Sequence, residues 1–306
     1  MSSHYFRFIH RRAADRQRSL LLERLLARAD ACQAVADWRA DAFRAIAQPS
    51  ARMPGVAAAA LFAERGMVDG ASVFLAAPVR YLADMNNVRL PADGILSLRP
   101  SEAEALAVDF NRVWNDAGMR MLTGQYADLF CVFDEPVEAV TADPENVLDR
   151  HIAGHLPTGA GAPRLRRLMS EIEMWLFEHA VNRIRIADAA PALTGLWLWG
   201  GGPALTSLPA VNGWTAGDDP LFKAFAARSL GAPLHAASGV VAIAAEPGTD
   251  EWHDLESRWL ARSAADLRAG RIERLDLSAG NRCFSVSARW NWRPWRRRRP
   301  WWEWFA

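Results

Sequence analysis

Lysine is almost missing from this 306-residue chain: Lys223 is the only one, so nearly all of the 36 basic residues are arginines. Arginine and alanine rise together, which points to genome composition before any selected function. Cysteine is scarce too. Cys32, Cys131 and Cys283 are odd in number, far apart and without a CxxC spacing. That argues against a disulfide framework or a cysteine zinc site and fits buried thiols in a reducing compartment. Long apolar runs are lacking: Leu20–Leu22 is cut short by Glu23 and Arg24, and no stretch nears the roughly 18 residues of a membrane span. No signal-peptide core forms. These absences predict a cytoplasmic protein. There is also no low-complexity tract over most of the length and no internal repeat.

What is present allows a real core. Hydrophobic residues make up 51% and charged residues 23%, enough for one large domain or two modest ones. The net charge of +1 conceals an asymmetry. Residues 286–306 hold six arginines and one glutamate, a local +5, which leaves −4 on residues 1–285. A mildly acidic body gives no support to extended nucleic-acid binding, which needs a basic face to displace counterions.

Helical and extended patterns alternate, which predicts an α/β (mixed α+β) class with helices packed on mixed sheets. Residues 15–30, 37–47 and 54–65 read as helices. Ser72–Val79 and Asn87–Leu98 read as extended, and residues 119–133 as two strands about Gly124. Ser101 and Glu104 have capping-box spacing at the head of a helix running to about Asn115. An Asp- and Pro-rich loop from Asp134 to Pro163 precedes a long amphipathic helix with the stripe Leu165, Leu168, Met169, Ile172 and Leu176. Asp218, Asp219 and Pro220 mark another helix start. Val240–Ala245 reads as a buried strand, Asp250–Arg268 as a helix, and residues 272–292 as a hairpin about Ala279–Asn281. These patterns divide the chain into an N-terminal helical region (1–66), an α/β body (67–285) and an Arg/Trp-rich tail (286–306).

Residues 165–202 carry the most information. The amphipathic helix ends in His179, Asn182, Arg183 and Arg185. A short linker then leads to an apolar strand, Leu196–Trp199, that stops in Gly200, Gly201 and Gly202. Strand-end glycines leave backbone bare beside the polar cluster, a geometry that suits a small phosphorylated or carboxylated ligand. The same residues also suit a structural bracket, with cations at a helix C-terminus and His179 continuing the apolar stripe. Trp197 and Trp199 read as core or as a ligand platform. His151 and His155 have the spacing of two zinc ligands, but Gly154 and Pro157 oppose a helix there and no third ligand is evident.

The tail alternates indoles and guanidinia: Trp290, Trp292, Trp295, Trp301, Trp302 and Trp304 among Arg289, Arg293, Arg296, Arg297, Arg298 and Arg299. Trp290 and Trp292 read as strand residues packed on their own domain. Residues 295–306 leave two readings open, a disordered end or an interaction with a protein or an anionic surface.

The segment resembles one found in archaeal-type cofactor-independent phosphoglycerate mutases of the alkaline-phosphatase superfamily. There a helix ends in His-Pro-Val-Asn-x-x-Arg and a strand reads Trp-x-Trp-Gly-x-Gly. The matching residues here are His179-Ala180-Val181-Asn182 with Arg185, and Trp197-Leu198-Trp199-Gly200-Gly201-Gly202; Ala180 replaces the proline. Weaker similarity covers Ser101–Phe133, including Phe110-Asn111, and His155-Leu156-Pro157-Thr158-Gly159. Taken whole, the chain is similar to bacterial regulatory proteins of the RpfE type, short relatives of these mutases.

The resemblance implies a mutase-like fold. It also implies, for an active member, two divalent metals held by Asp and His, a phosphoryl-accepting serine, and an Asp-Gly-type strand end near the N-terminus. The N-terminal sequence reads instead as an Arg-rich helix without that strand. His235 stands alone and His253-Asp254 falls in a helical pattern. The expectation is therefore a non-catalytic, alkaline-phosphatase-like remnant without the metal-binding core, needing no cofactor and acting by binding, with a regulatory role. The alternatives are a metal-dependent mutase or phosphohydrolase, and a tail-driven membrane or nucleic-acid module.

Overall fold

The computed structural model describes residues 2–8, 17–83, 85, 87–226, 238–243, 247, 249–287 and 297–305. The chain is mixed α/β and divides into two compact units: Met1–Met53 with Pro209–Ala306, and Pro54–Leu208. This division differs from boundaries at 66 and 285, because both ends of the chain contribute strands to one sheet.

That sheet has six strands, in the order Trp214–Gly217, Gly239–Ala242, Ser3–Arg7, Arg274–Ala279, Arg282–Ser287 and Ala31–Ala34. The first four are parallel neighbours; the last two join antiparallel. The N-terminal region is thus not purely helical. Ser3–Arg7 lies mid-sheet, with Tyr5 paired to Val240 on one side and Asp276 on the other. The first helix is only Leu20–Leu26, capped by Ser19, whose Oγ accepts the Leu22 N–H at 3.2 Å. Further helices are Trp38–Ile46, Pro220–Ala226, and Asp250–Leu255 continuing through a π turn into Ala261–Arg268. Asp219 does cap a helix as the sequence predicts: its Oδ1 accepts the Leu221 and Phe222 N–H groups. The core of this unit gathers Phe6, Phe8, Leu22, Leu25, Trp252, Leu275, Leu277, Phe284 and Trp301.

The second unit holds an antiparallel four-stranded sheet, ordered Met119–Thr123, Leu129–Phe133, Ser72–Val79 and Gly195–Pro203. Helices Val56–Arg65 and Ala162–Phe177 pack on Gly195–Pro203, and Pro100–Trp114 packs on Met119–Thr123. Helix Pro100–Trp114 starts two residues earlier than the Ser101/Glu104 spacing predicts, with Arg99 as its N-cap. Pro100 occupies the tolerant first turn, and Glu102 accepts the Arg99 N–H at 2.7 Å. A small three-stranded sheet joins Leu82–Ala83, Val88–Leu90 and Arg150–His151. The last of these lies in the segment read as loop, because a two-residue strand leaves no periodicity.

Cys131 and Cys283 are buried, and burial pushes both thiols up to about 12, whereas Cys32 is exposed on an edge strand. Among the described residues no helix is long and apolar enough to cross a membrane.

Candidate functional site

The helix read as continuous from residue 165 to the polar cluster breaks at Glu178–His179. Ala162–Phe177 ends there, and a second helix, Ala180–Ala187, begins. His179 has extended backbone (φ −68°, ψ 142°), and its Nδ1 accepts the Val181 N–H at 3.2 Å. It caps the N-terminus of the next helix rather than prolonging the stripe of the last. Its Nε2 faces Asp109 Oδ2 at 3.3 Å without an aligned hydrogen bond, and its ring meets Trp175 edge-on at 4.5 Å.

Asn182 is buried and fully engaged. Its amide donates to the carbonyls of Leu176 and Leu193, at 2.7 and 2.8 Å, and its Oδ1 accepts the Leu193 N–H at 2.7 Å. Asn111 does the same for strand Met119–Thr123, bonding both backbone groups of Met121. Both asparagines of the mutase-like motifs therefore act as a false strand partner, tying a helix to an element that follows it.

Arg185 is also spent. Its guanidinium donates to Pro191 O at 2.7 Å and to Glu102 Oε2 at 3.0 Å, with both side chains 7% exposed. Burial opposes ionisation of Glu102, yet the Arg99 N–H, the Arg99 guanidinium and Arg185 together hold it below the ordinary carboxylate value. Arg183 is exposed and reaches only Glu178 O, away from the others. His179, Asn182 and Arg185 are thus each engaged in contacts that brace the break between the two helices.

The glycines have an equally local cause. Val73 pairs with Gly202 but Leu75 pairs with Trp199, so Gly200 and Gly201 together oppose the single residue Phe74. Gly200 has φ +65°, a conformation that suits the bulged residue. A Cβ on Gly202 would lie 2.8 Å from Gly55 Cα. The bulge and close packing account for glycine at these positions. Trp197 is buried, donating to Ala142 O at 2.8 Å, and Trp199 is buried too.

Tail residues Trp290, Trp292, Trp295 and Arg296, like His235, lie outside the described residues. Trp301 is a core residue, 0% exposed, packed edge-on to Phe8 and donating from Nε1 to Gln17 O at 3.0 Å. Trp302 is partly buried against the same core. Arg297, Arg298 and Arg299 are exposed, and the Arg299 guanidinium lies 5.9 Å from the Trp304 ring centre. The indole of Trp301 is therefore unavailable to an outside partner.

Glu102 and Asp109, the carboxylates that meet Arg185 and His179, were not legible in the sequence. They lie some seventy to eighty residues away, and only the first-turn position of Glu102 gave any signal. Among the described residues no group of three or more His, Cys, Asp or Glu side chains could hold a metal ion.

His179 gives the cluster a pH dependence. Burial pushes its pKa below the ordinary 6.5, against the pull of Asp109 and with the help of Arg183. The unfolded chain takes the proton more readily, so this contribution to stability is whole above pH 6.5 and is lost as pH falls below it. His179→Asn keeps a good cap but cannot titrate there. Its urea stability should fall less than that of the parent between pH 7.5 and 5.5; an unchanged pH slope would contradict the assignment.

No model of a known protein family matches the chain. Two curated proteins are similar over part of it. A 2,3-bisphosphoglycerate-independent phosphoglycerate mutase of Methanothrix thermoacetophila is 37% identical over 75 residues, 24% of this chain and 19% of that protein. A probable enzyme of the same name from Geobacter sulfurreducens is 36% identical over 61 residues, 20% of this chain and 15% of that protein. The matches thus span less than a fifth of either relative. Among solved structures, a cofactor-independent phosphoglycerate mutase from Thermoplasma acidophilum aligns with a TM-score of 0.36 and 12% identity, over 93% of this chain and 89% of that one. A Pyrococcus horikoshii protein aligns at 0.37 and 12%, over 93% and 87%. Over about a quarter of its length, the chain is similar to 2,3-bisphosphoglycerate-independent phosphoglycerate mutases.

Proposed function

We propose that this protein is a phosphoglycerate-mutase-like protein that has lost phosphoryl transfer and acts by binding a small phosphorylated or carboxylated ligand, with a regulatory role like that of the RpfE-type proteins it resembles. The observation that carries this reading is the end of the first strand. Contrary to the sequence reading, the strand exists, in the middle of the parallel sheet, where ligands of open α/β sheets gather at the carboxyl ends. Where an active relative is expected to present an aspartate, this strand ends in Arg7.

The Arg7 guanidinium donates to Gly280 O at 2.8 Å and Ser278 Oγ at 3.3 Å, and it sits 4.9 Å from the centre of the Trp38 ring. Arg39 lies 4.6 Å from the same ring. A guanidinium has no lone pair to offer a metal and repels a divalent cation. Asp219, past the end of strand Trp214–Gly217, is committed to Arg39 at 2.8 Å and to its helix cap. The donor set among the described residues therefore does not fit a pair of divalent metals.

The test is turnover. Purified protein incubated with manganese, magnesium or cobalt should neither interconvert 2- and 3-phosphoglycerate nor hydrolyse p-nitrophenyl phosphate above background. Metal-stimulated turnover that a chelator abolishes would establish the alternative, a metal-dependent mutase or phosphohydrolase.

A further inference from the structure

A cleft of about 510 Å³ opens beside the small three-stranded sheet of the second unit, lined by Leu82, Ala83, Arg89, Asp149, Arg150 and His151. The register sets its chemistry. Leu82 pairs with Arg89, and Arg89 pairs with His151, so one face carries an apolar group beside two basic ones. Directly opposed residues of this kind have Cβ atoms about 5 Å apart.

Asp149 is the one carboxylate in the lining, set against the two guanidinia of Arg89 and Arg150. The side chains of Arg89, Arg150 and His151 are exposed and have no hydrogen-bond or ion-pair partner among the described residues. Every other arginine of this unit donates to a carboxylate or a backbone carbonyl. In a fold that pairs its guanidinia so consistently, the two unpaired ones line the same cleft.

The backbone shapes the rim. Asp149 has φ +58°, in the left-handed region that aspartate enters more readily than most residues. Its N–H is held by Leu90 O at 2.7 Å. This turn brings Arg150 and His151 alongside Val88–Leu90 at the rim of the cleft.

We propose that this cleft binds a small organic phosphate. Arg89 grips the phosphoryl group through paired N–H donors with His151 beside it on the same face, Arg150 reaches it from the neighbouring strand position, and Asp149 accepts from a hydroxyl of the same molecule. The volume lies within the usual range for small-ligand sites, and Leu82 and Ala83 supply an apolar wall. The site is separate from the His179 bracket. It rests on the binding reading above and gives it a location.

Calorimetric titration of the full chain with 3-phosphoglycerate, glycerate and inorganic phosphate tests it. All the substituted positions are exposed, so folding should survive. The parent should bind 3-phosphoglycerate saturably, and glycerate at least about tenfold more weakly. Arg89→Ala with Arg150→Ala should weaken 3-phosphoglycerate about 100-fold, near tenfold per guanidinium, with partial recovery in the double lysine variant. Equal binding by parent and double alanine variant would overturn the site but leave the binding reading standing. Glycerate binding as tightly as the phosphates would overturn the phosphoryl assignment. No saturable binding of any probe by the parent would overturn both, whereas metal-dependent turnover with the arginine effect intact would overturn only the loss of catalysis.

Discussion

Trp301→Ala is expected to lower the stability of the first unit by about 3–5 kcal/mol, the range for removing a buried tryptophan from a packed core. The indole is wholly enclosed, meets Phe8 at 6.1 Å between ring centres, and donates to Gln17 O. Its backbone N–H also points at Glu23 Oε1, 3.3 Å away. Losing the side chain leaves both a cavity and an unsatisfied carbonyl. Urea unfolding followed by far-ultraviolet circular dichroism should show a lower midpoint with little change in slope. Trp301→Phe keeps most of the apolar filling and should lose less than half as much. If the tail instead presented Trp301 to a membrane or partner, the alanine variant would unfold at the parent midpoint.

Gly201→Ala should be nearly as damaging, about 3 kcal/mol. A Cβ at this position would lie 2.0 Å from Phe74 Cε1 and 2.5 Å from two further ring atoms. Phe74 cannot swing clear: it is wholly buried and packs edge-on against Phe133 at 5.6 Å. Overpacking of this kind typically costs 1–3 kcal/mol, roughly the upper end applying where the obstacle is itself enclosed. Pairing the change with Phe74→Leu should recover part of the loss, a favourable coupling of about 1–2 kcal/mol in a double-mutant cycle. A Gly201→Ala variant with the parent's midpoint, impaired only in ligand binding, would restore the reading of bare backbone beside a ligand.

Strong local patterns were legible in the sequence. Ser72–Val79 and Leu129–Phe133 are apolar runs bounded by turn residues, and Asp219-Pro220 announces its helix by cap chemistry. The stripe through Leu176 identified helix Ala162–Phe177 but hid its end, because His179 falls in phase with the stripe while its backbone is already extended. Ser3–Arg7 escaped notice for a different reason. Five residues of mixed polarity become a central strand only by pairing with residues 239–242 and 274–278, and no local window contains that information. The polar cluster of residues 179–185 was visible, yet whether it stood free or was spent depended on Glu102, Leu193 and Pro191, which only the fold brings to it. Two-residue strands at the cleft are below any periodic signal.

Synthesis of the chain has an order that the sheet makes awkward. Residues 3–7 leave the ribosome well before either neighbour they need, and at roughly 5–20 residues per second the wait for residue 239 is about 10–50 s. Residues 54–208 can complete their own sheet meanwhile. Through that interval residues 3–8 stay unpaired, with Tyr5, Phe6 and Phe8 still lacking the core that buries them in the finished fold.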